Sequence, residues 1–338
     1  MRTGTVLATL TATLAAAGCL TAAGPAASAQ DHACSPYAAV EGFSDALDKT
    51  TYEGTFVGNL SALAAGRDGT LAAVSDRSAL FTLDARTLRP RAVVPLADEQ
   101  GGALDSEGLV ADRDGTHLVS SETEPAVRRH GPDGAVLDRL PVPKALRVAP
   151  AGRARANQTF EGLTLRPGGR TLTAAMEYAI TGDADGVVRF QTWTRDGRGF
   201  RLSAQYGYRA DTGLGVPEIQ ALADGRLLVL ERGFTAGVGN TVRLYLADPR
   251  RATDTGGVET LTGRDGVRLA RKKLLADLVD CPSLGATARQ PQPNPLLDNI
   301  EAMTVTGHAG KSLRVLLASD DNQNAAQITR FYRLRVRI

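Results

Sequence analysis

The chain has 338 residues, 43% hydrophobic but only 5% aromatic, with 39 basic and 37 acidic side chains and a formal net charge of +2. That length and apolar content allow one large core. The near-neutral balance supplies no basic field for nucleic acid or for an anionic membrane surface.

Residues 1–29 read as an export signal: Arg2, an apolar run to about Leu20, then Ala27-Ser28-Ala29 as a small-residue cleavage site. The run is too short and too rich in Ala and Thr for a membrane span, so no transmembrane segment is expected. A lipoprotein signal at Cys19 is the weaker reading, because Ala16 stands three residues before it where a Leu or Val is wanted. Cleavage leaves Cys34 and Cys281. In an oxidising compartment an isolated pair usually bonds, so a Cys34–Cys281 disulfide is predicted, tying the N-terminus to the loop ahead of the last repeat. Residues 30–50 read as an arm, broken by Asp31, Ser35 and Pro36. Tyr52 to Val57 reads as a strand.

A hairpin-sized unit then recurs. It runs from Asn59 to Asp76, from Asp105 to Glu122, from Asn157 to Tyr178, from Glu218 to Glu231, and from Asn299 to Asp320. Each opens on a polar residue, carries two short apolar runs around a Gly turn, and closes on an acid, which in the third unit is Glu177, one residue before its end. The closing acids are Asp76, Glu122, Glu177, Glu231 and Asp320, spaced by subtraction at 46, 55, 54 and 89 residues. Strand units repeating at roughly 40–50 residues mark a β-propeller. The fold expected is all-β, one propeller over residues 51–338, with six blades if the widest gap hides a divergent unit.

Between the units, Pro141 to Ala156 reads as a basic loop carrying Lys144, Arg147, Arg153 and Arg155. Gly182 to Gly186 looks like a fragment of a calcium loop but lacks the distal Glu, and reads better as a surface turn. Leu269 to Val279 reads as one short helix with a partial apolar face. Pro282 to Pro295 is a Pro-rich loop. The last stretch, Arg330 to Ile338, alternates apolar and basic residues as a half-buried strand does. It is expected to pair with the strand near Tyr52 to Val57 and close the ring.

Acids at equivalent strand ends should converge on the axis. The opening acids Glu107, Glu161 and Glu301 form a second equivalent set, giving eight carboxylates for one channel. Converging like charges stay ionised only if something compensates them. Ca²⁺ suits such a set because it takes six to eight oxygen ligands in irregular geometry. The metal set predicted is Asp76, Glu122, Glu177, Glu231, Glu301, Asp320, Asp321 and Asn322, with Ser319 to Asn324 the densest oxygen cluster. Arg77 and Arg232 follow closing acids, so ion pairing is the competing reading. There is no G-x-S-x-G, H-E-x-x-H, Walker loop or CxxC pair.

The segments Phe160-Glu161-Gly162-Leu163-Thr164 with Met176-Glu177, Leu228-Val229-Leu230-Glu231-Arg232, Asp298-Asn299-Ile300-Glu301-Ala302-Met303 and Ser319-Asp320-Asp321-Asn322 resemble, in that order, the secreted bacterial phytase-like domain, described as "esterase-like activity of phytase". The resemblance spans roughly residues 50–338. It implies a propeller related to calcium-dependent alkaline phytases and, more distantly, to propeller lactonases. The positions it matches are Asp76 with Arg77, Glu107, Glu161, Glu177, Glu231 with Arg232, Glu301, and Asp320 with Asn322. Ala302 departs from the pattern, where Gly would follow the Glu, and the longer Asp-rich motif of the calcium phytases is missing, so phytate itself is not implied. The expectation is a secreted, monomeric, calcium-dependent hydrolase of small phosphate esters, with Glu161 or Glu107 as general base and Arg232 holding the substrate. Two other readings stay open: a non-catalytic envelope propeller with structural calcium, and a carboxylic-ester or lactone hydrolase.

Overall fold

The computed structural model describes residues 32–263 and 266–338, together with Met1 and Gly4. Apart from Met1 and Gly4, the export signal, Cys19 included, lies outside the described residues. After β1 (Ala38–Ser44) and a small hairpin, β2 (Thr50–Tyr52) and β3 (Thr55–Val57), the chain builds four-stranded antiparallel sheets in succession. Blade 1 holds β4 (Leu60–Ala65), β5 (Thr70–Ser75), β6 (Ala79–Asp84) and β7 (Pro90–Pro95). Blade 2 holds β8 (Ser106–Ala111), β9 (His117–Ser121), β10 (Ala126–His130) and β11 (Val136–Arg139). Blade 3 holds β12 (Phe160–Leu165), β13 (Thr171–Met176), β14 (Val187–Asp196) and β15 (Gly199–Arg209). Blade 4 holds β16 (Gly215–Ala221), β17 (Leu227–Thr235), β18 (Gly239–Asp248) and β19 (Arg271–Asp277). Blade 5 takes β20 (Ile300–Ala309), β21 (Ser312–Ser319) and β22 (Phe331–Arg337) from the C-terminus and β1 from the N-terminus.

The ring has five blades among the described residues, not six. The gap between Glu231 and Asp320 is filled by the outer strands of blade 4 and a long loop, not by another sheet. The helix expected at Leu269 to Val279 is instead β19, followed by a short 3₁₀ turn at Leu278–Asp280. Its apolar residues pack as a strand: Leu275 and Ala276 are buried in the blade 4–5 interface, while Leu274 points outward. Such a short apolar run fits either period, and pairing with β18 decides it.

Closure also differs from expectation. β22 pairs antiparallel with β1, from Ala38 opposite Val336 to Ser44 opposite Phe331, and Tyr52 to Val57 forms the separate β2–β3 hairpin. The segment read as an arm therefore supplies the outer strand of the last blade. The Cys34–Cys281 disulfide fastens that strand to the loop after β19, across a sequence separation of 247. Arg330, fully buried, binds Asp45 through Nε and Nη2 at 2.7 and 2.8 Å and donates to the carbonyls of Thr287 and Pro295 at 2.8 and 2.9 Å. It joins the N-terminal segment to the Pro-rich loop.

Alternation places each blade between its neighbours. In β5, Leu71 and Ala73 pack toward blade 5, while Ala72 and Val74 pack toward blade 2. Five separate apolar clusters fill the five interfaces. The turns follow from sequence too: Asp68 and Gly69 both take positive φ between β4 and β5, a conformation that an Asp-Gly pair tolerates. The innermost strands β4, β8, β12, β16 and β20 adjoin one another around the axis. No helix among the described residues is long and apolar enough to cross a membrane.

Candidate functional site

One mouth of the axial channel opens into a cavity of about 580 Å³. A repeated backbone device builds it. In four blades the amide of the closing acid donates to the carbonyl of a residue just before the inner strand. These bonds are Asp76 to Asn59 at 3.0 Å, Glu122 to Asp105 at 3.0 Å, Glu177 to Thr159 at 2.8 Å and Asp320 to Asn299 at 2.9 Å. Each inner strand also bulges near its first residues. The register breaks between Leu60 and Ala62, Ser106 and Leu109, Phe160 and Leu163, Gly215 and Glu218, and Ile300 and Ala302. A bulge re-aims the extra side chain, and Glu107, Glu161 and Glu301 are the residues so turned into the cavity.

The glycine after the opening acid has a steric cause. A Cβ at Gly162 would lie 2.7 Å from Ile219 N and 2.8 Å from Glu218 Cα, on the backbone of the next blade. At Gly108 it would lie 2.4 Å from the Glu161 carbonyl oxygen. In blade 5 the bulge holds one residue instead of two, so the next position, Ala302, is already paired with Ala318 and accepts a methyl group. That accounts for the departure from the E-G pattern.

Seven of the eight predicted channel carboxylates meet in the cavity: Asp76, Glu107, Glu122, Glu161, Glu177, Glu301 and Asp320, with Asn322 beside them. Asp105 joins them. It stands in the second repeat, immediately before the opening Ser-Glu pair, but its neighbour Glu107 drew the sequence reading. Two predicted ligands lie elsewhere. Asp321 is fully buried, pairs with Lys49 and accepts the Asn59 amide at 3.0 Å. Glu231 is fully buried between blades 3 and 4, paired with Lys272 at 2.6 Å, bonded to the Tyr208 hydroxyl and accepting the Asp211 amide at 2.8 Å. In blade 4, β17 runs past the usual end and Gly215 pairs with Arg232, so the residue presented to the cavity is Arg232.

Arg232 and Arg77 are the only cationic side chains lining the cavity among the described residues. Arg232 pairs closely with Glu301 and lies 3.6 Å from Glu177; Arg77 lies 3.4 Å from Asp76. Two cations against eight acids leave most of the charge unbalanced, and the protonation equilibria shift accordingly. Burial and then the Glu301 charge push Glu107 well above the usual carboxylate range. Burial and then Glu107 do the same to Glu161, and burial and then Glu301 to Asp320. Burial raises Asp76 to about 6, Glu122 to about 7 and Glu177 to about 8. Burial opposes the charge on Arg232, but Glu301, Glu177 and Glu161 outweigh it and its pKa is raised.

The donor set suits a hard cation. The carboxylates of Asp105, Glu107 and Glu122 bring one oxygen each to within 4.8 Å of one another, and so do those of Glu122, Glu161 and Glu177, with Glu122 common to both groups. Oxygens bound to Ca²⁺ at 2.3–2.6 Å lie at most about 5 Å apart. No His or Cys lines the cavity, which disfavours softer metals. The remaining predicted groups are placed as follows. Arg153 is engaged with the Glu259 and Thr181 carbonyls. Arg155 lines an adjoining cavity of about 400 Å³ that shares Gln158 and Tyr178 with the main one. The Asp183 side chain, in the fragment that looks like a calcium loop, is fully buried against Arg189 at 2.6 Å.

A family model described as "Phytase-like: Esterase-like activity of phytase" matches residues 55–323. The chain therefore belongs to the phytase-like family. No curated protein matches the chain. Similar solved structures include a protein assigned as a gluconolactonase (15% identity over 82% of this chain and 75% of that one, TM-score 0.42). Others are a streptogramin B lyase (11%, 82% and 94%, TM-score 0.39) and the PQQ-bound aldose sugar dehydrogenase of Streptomyces coelicolor (13%, 87% and 98%, TM-score 0.41). At that level of similarity none of them bears on function here.

Proposed function

We propose that this phytase-like propeller is a secreted ester hydrolase whose acidic cavity takes up calcium, acting first on small phosphate esters. The observation that carries this reading is the convergence of eight carboxylates from four blades on one cavity with only two arginines against them. A bound calcium ion would offset that charge and polarise the oxygen of a bound ester. Glu161, buried at the bulge of β12 between Glu107 and Glu177, is suited to hold the proton of an attacking water, and Glu107 is the alternative base. Arg232, anchored through Nη2 to Glu301, keeps its Nε–H without a protein partner and can donate it to a substrate oxygen. The Cys34–Cys281 disulfide fits an oxidising, extracellular setting. Hydrolysis of an acyl ester or lactone is the second reading, favoured by the family's description as esterase-like.

The test is turnover of an aryl phosphate and of a short acyl ester, with calcium and with EGTA, by wild-type protein and by Glu161→Gln. Calcium-dependent turnover that falls at least a hundredfold in Glu161→Gln supports the reading and selects its branch. Full activity in Glu161→Gln at equal folding removes Glu161 as base. Calcium-raised stability with no turnover of either ester leaves a calcium-binding propeller without catalysis.

A further inference from the structure

The carboxylates come from blades 1, 2, 3 and 5, and the blade 4 side is built differently. There β17 and β18 form a hairpin in which Phe234 is directly opposite Asn240. Directly opposed residues of an antiparallel pair share a face, and Arg232 lies two residues from Phe234 on that face. All three line the cavity. Asn240 is 1% exposed, yet neither its Oδ1 nor its Nδ2 has a hydrogen-bond partner in the protein. Its backbone is held: the amide donates to Gln292 Oε1 at 2.8 Å. A Cβ at Gly239 would come within 2.6 Å of the Pro291 carbonyl oxygen, so the Pro-rich loop presses on the hairpin here. Phe234, by contrast, is 57% exposed at the rim.

A buried amide left unsatisfied at both ends is costly, so a fully unpartnered one facing a cavity points to a ligand or to bound water. We propose that Asn240, with the Nε–H of Arg232 and the ring of Phe234, is a subsite for the neutral, hydroxyl-bearing part of the ligand. This rests on the reading of the cavity as the ligand site. The side-chain amide sets one donor beside one acceptor whichever way it is flipped. An alcohol hydroxyl, which donates and accepts together, satisfies both. An anion satisfies only the nitrogen and meets the oxygen repulsively, and a cation does the reverse and is better served by the carboxylates. The exposed Phe234 ring beside it offers an apolar face to carbon-bound hydrogens. Vicinal hydroxyls on a ring or short chain are the group these three residues fit, leaving the charged ester end to the acids and Arg232.

The test is a titration of full-length secreted protein, labelled with ¹⁵N-asparagine, with cis-1,2-cyclohexanediol and separately with inorganic phosphate, in calcium. The Asn240 side-chain signals are assigned by their loss in Asn240→Asp. The diol is expected to move those signals, and its Kd to rise at least tenfold in Asn240→Ala. Should Asn240→Ala not fold, Asn240→Asp, which keeps the shape and removes the donor, is expected to weaken the diol by a similar factor. If the diol leaves the Asn240 signals in place, or if phosphate moves them and the diol does not, the subsite is overturned. Calcium-dependent ester turnover alongside a silent diol titration sinks the subsite and spares the hydrolase. Diol binding without turnover sustains the subsite alone.

Discussion

Removing calcium should make this protein progressively less stable as the pH rises from about 5 to 8. Consider Glu122, which burial and Asp105 raise from its usual 4.5 to about 7. In that window the folded state holds a proton that the unfolded chain has released. A carboxyl with a raised folded pKa favours folding fully below pH 4.5 and loses that contribution as the pH climbs through 7. At 1.36 kcal/mol per pH unit the loss from this residue alone is roughly 3 kcal/mol. Glu177, raised to about 8 by burial, extends the decline to higher pH. For a chain of this size, roughly 2 °C of melting temperature accompanies each kcal/mol, so EGTA-treated protein should melt at least about 6 °C lower at pH 8 than at pH 5. Calcium bound at the proposed site should act oppositely, because its ligands must be deprotonated. Its stabilisation, about 2.7 kcal/mol at a hundred times Kd, should be small at pH 5 and full at pH 8. The assay is a set of melts at pH 5, 6, 7 and 8 with calcium or EGTA. A metal-free melting temperature that is flat or rises over this range, or a calcium increment equal at pH 5 and 8, would refute the reasoning.

Three further outcomes follow from the packing. Gly162→Ala should cost about 2–3 kcal/mol in urea unfolding, because its methyl group meets the backbone of blade 4, whereas Gly257→Ala, with nothing within 4 Å of its Cβ, should be nearly neutral. Cys281→Ser, or reduction, should lower stability by about 2–5 kcal/mol, since the bond closes a loop with a sequence separation of 247; a melt unchanged by reductant would show that β22 holds β1 unaided. Lys272→Met should destabilise by about 3 kcal/mol by leaving the buried Glu231 without its ion-pair partner, yet leave the calcium increment intact, while Glu122→Gln should reduce that increment.

The sequence carried the local grammar of this fold well and its counting poorly. Gly turns and two-residue periodicity placed the inner hairpin of every blade, because those signals depend only on neighbouring residues. The outer strands were harder. β7 begins and ends at proline and β11 spans only Val136–Arg139, so neither shows a long alternation. β19 carries Arg271, Lys272 and Lys273 and reads as helix from sequence, because its ladder partner β18 is set by tertiary pairing. Closure was misplaced for the same kind of reason. β1 contains Glu41 and Gly42, at a break in register between Val40 and Gly42, and only its long-range partner β22 makes it a strand.

Glu231 shows where a repeat read from sequence stops describing a site. Its motif, Leu-Glu-Arg after an apolar run, matches the closing Met-Glu-Tyr of blade 3 letter for letter at the acid. What differs is register. In blade 3 the inner strand pairs Phe160 with Met176, and the acid follows at the mouth; in blade 4 the corresponding pair is Gly215 with Arg232, so the acid comes one residue before the pair. The acid is thus displaced by two residues along the ladder: it stands where Ala175 stands in blade 3, on the same face as Leu227 and Val229 but deeper in the sheet than Glu177. Glu231 therefore turns into the blade 3–4 interface, where Lys272 and Tyr208 compensate it, and the arginine takes the cavity position. Gly215 fits the same arrangement: a Cβ there would sit 2.9 Å from Glu177 Oε1, so the missing side chain leaves space for the neighbouring acid. The displacement thus converts a ring of five equivalent acids into four with one guanidinium among them. That asymmetry gives the cavity a charged anchor on the blade 4 side, and beside it stands Asn240, two strand positions from Val242, the partner of Arg232.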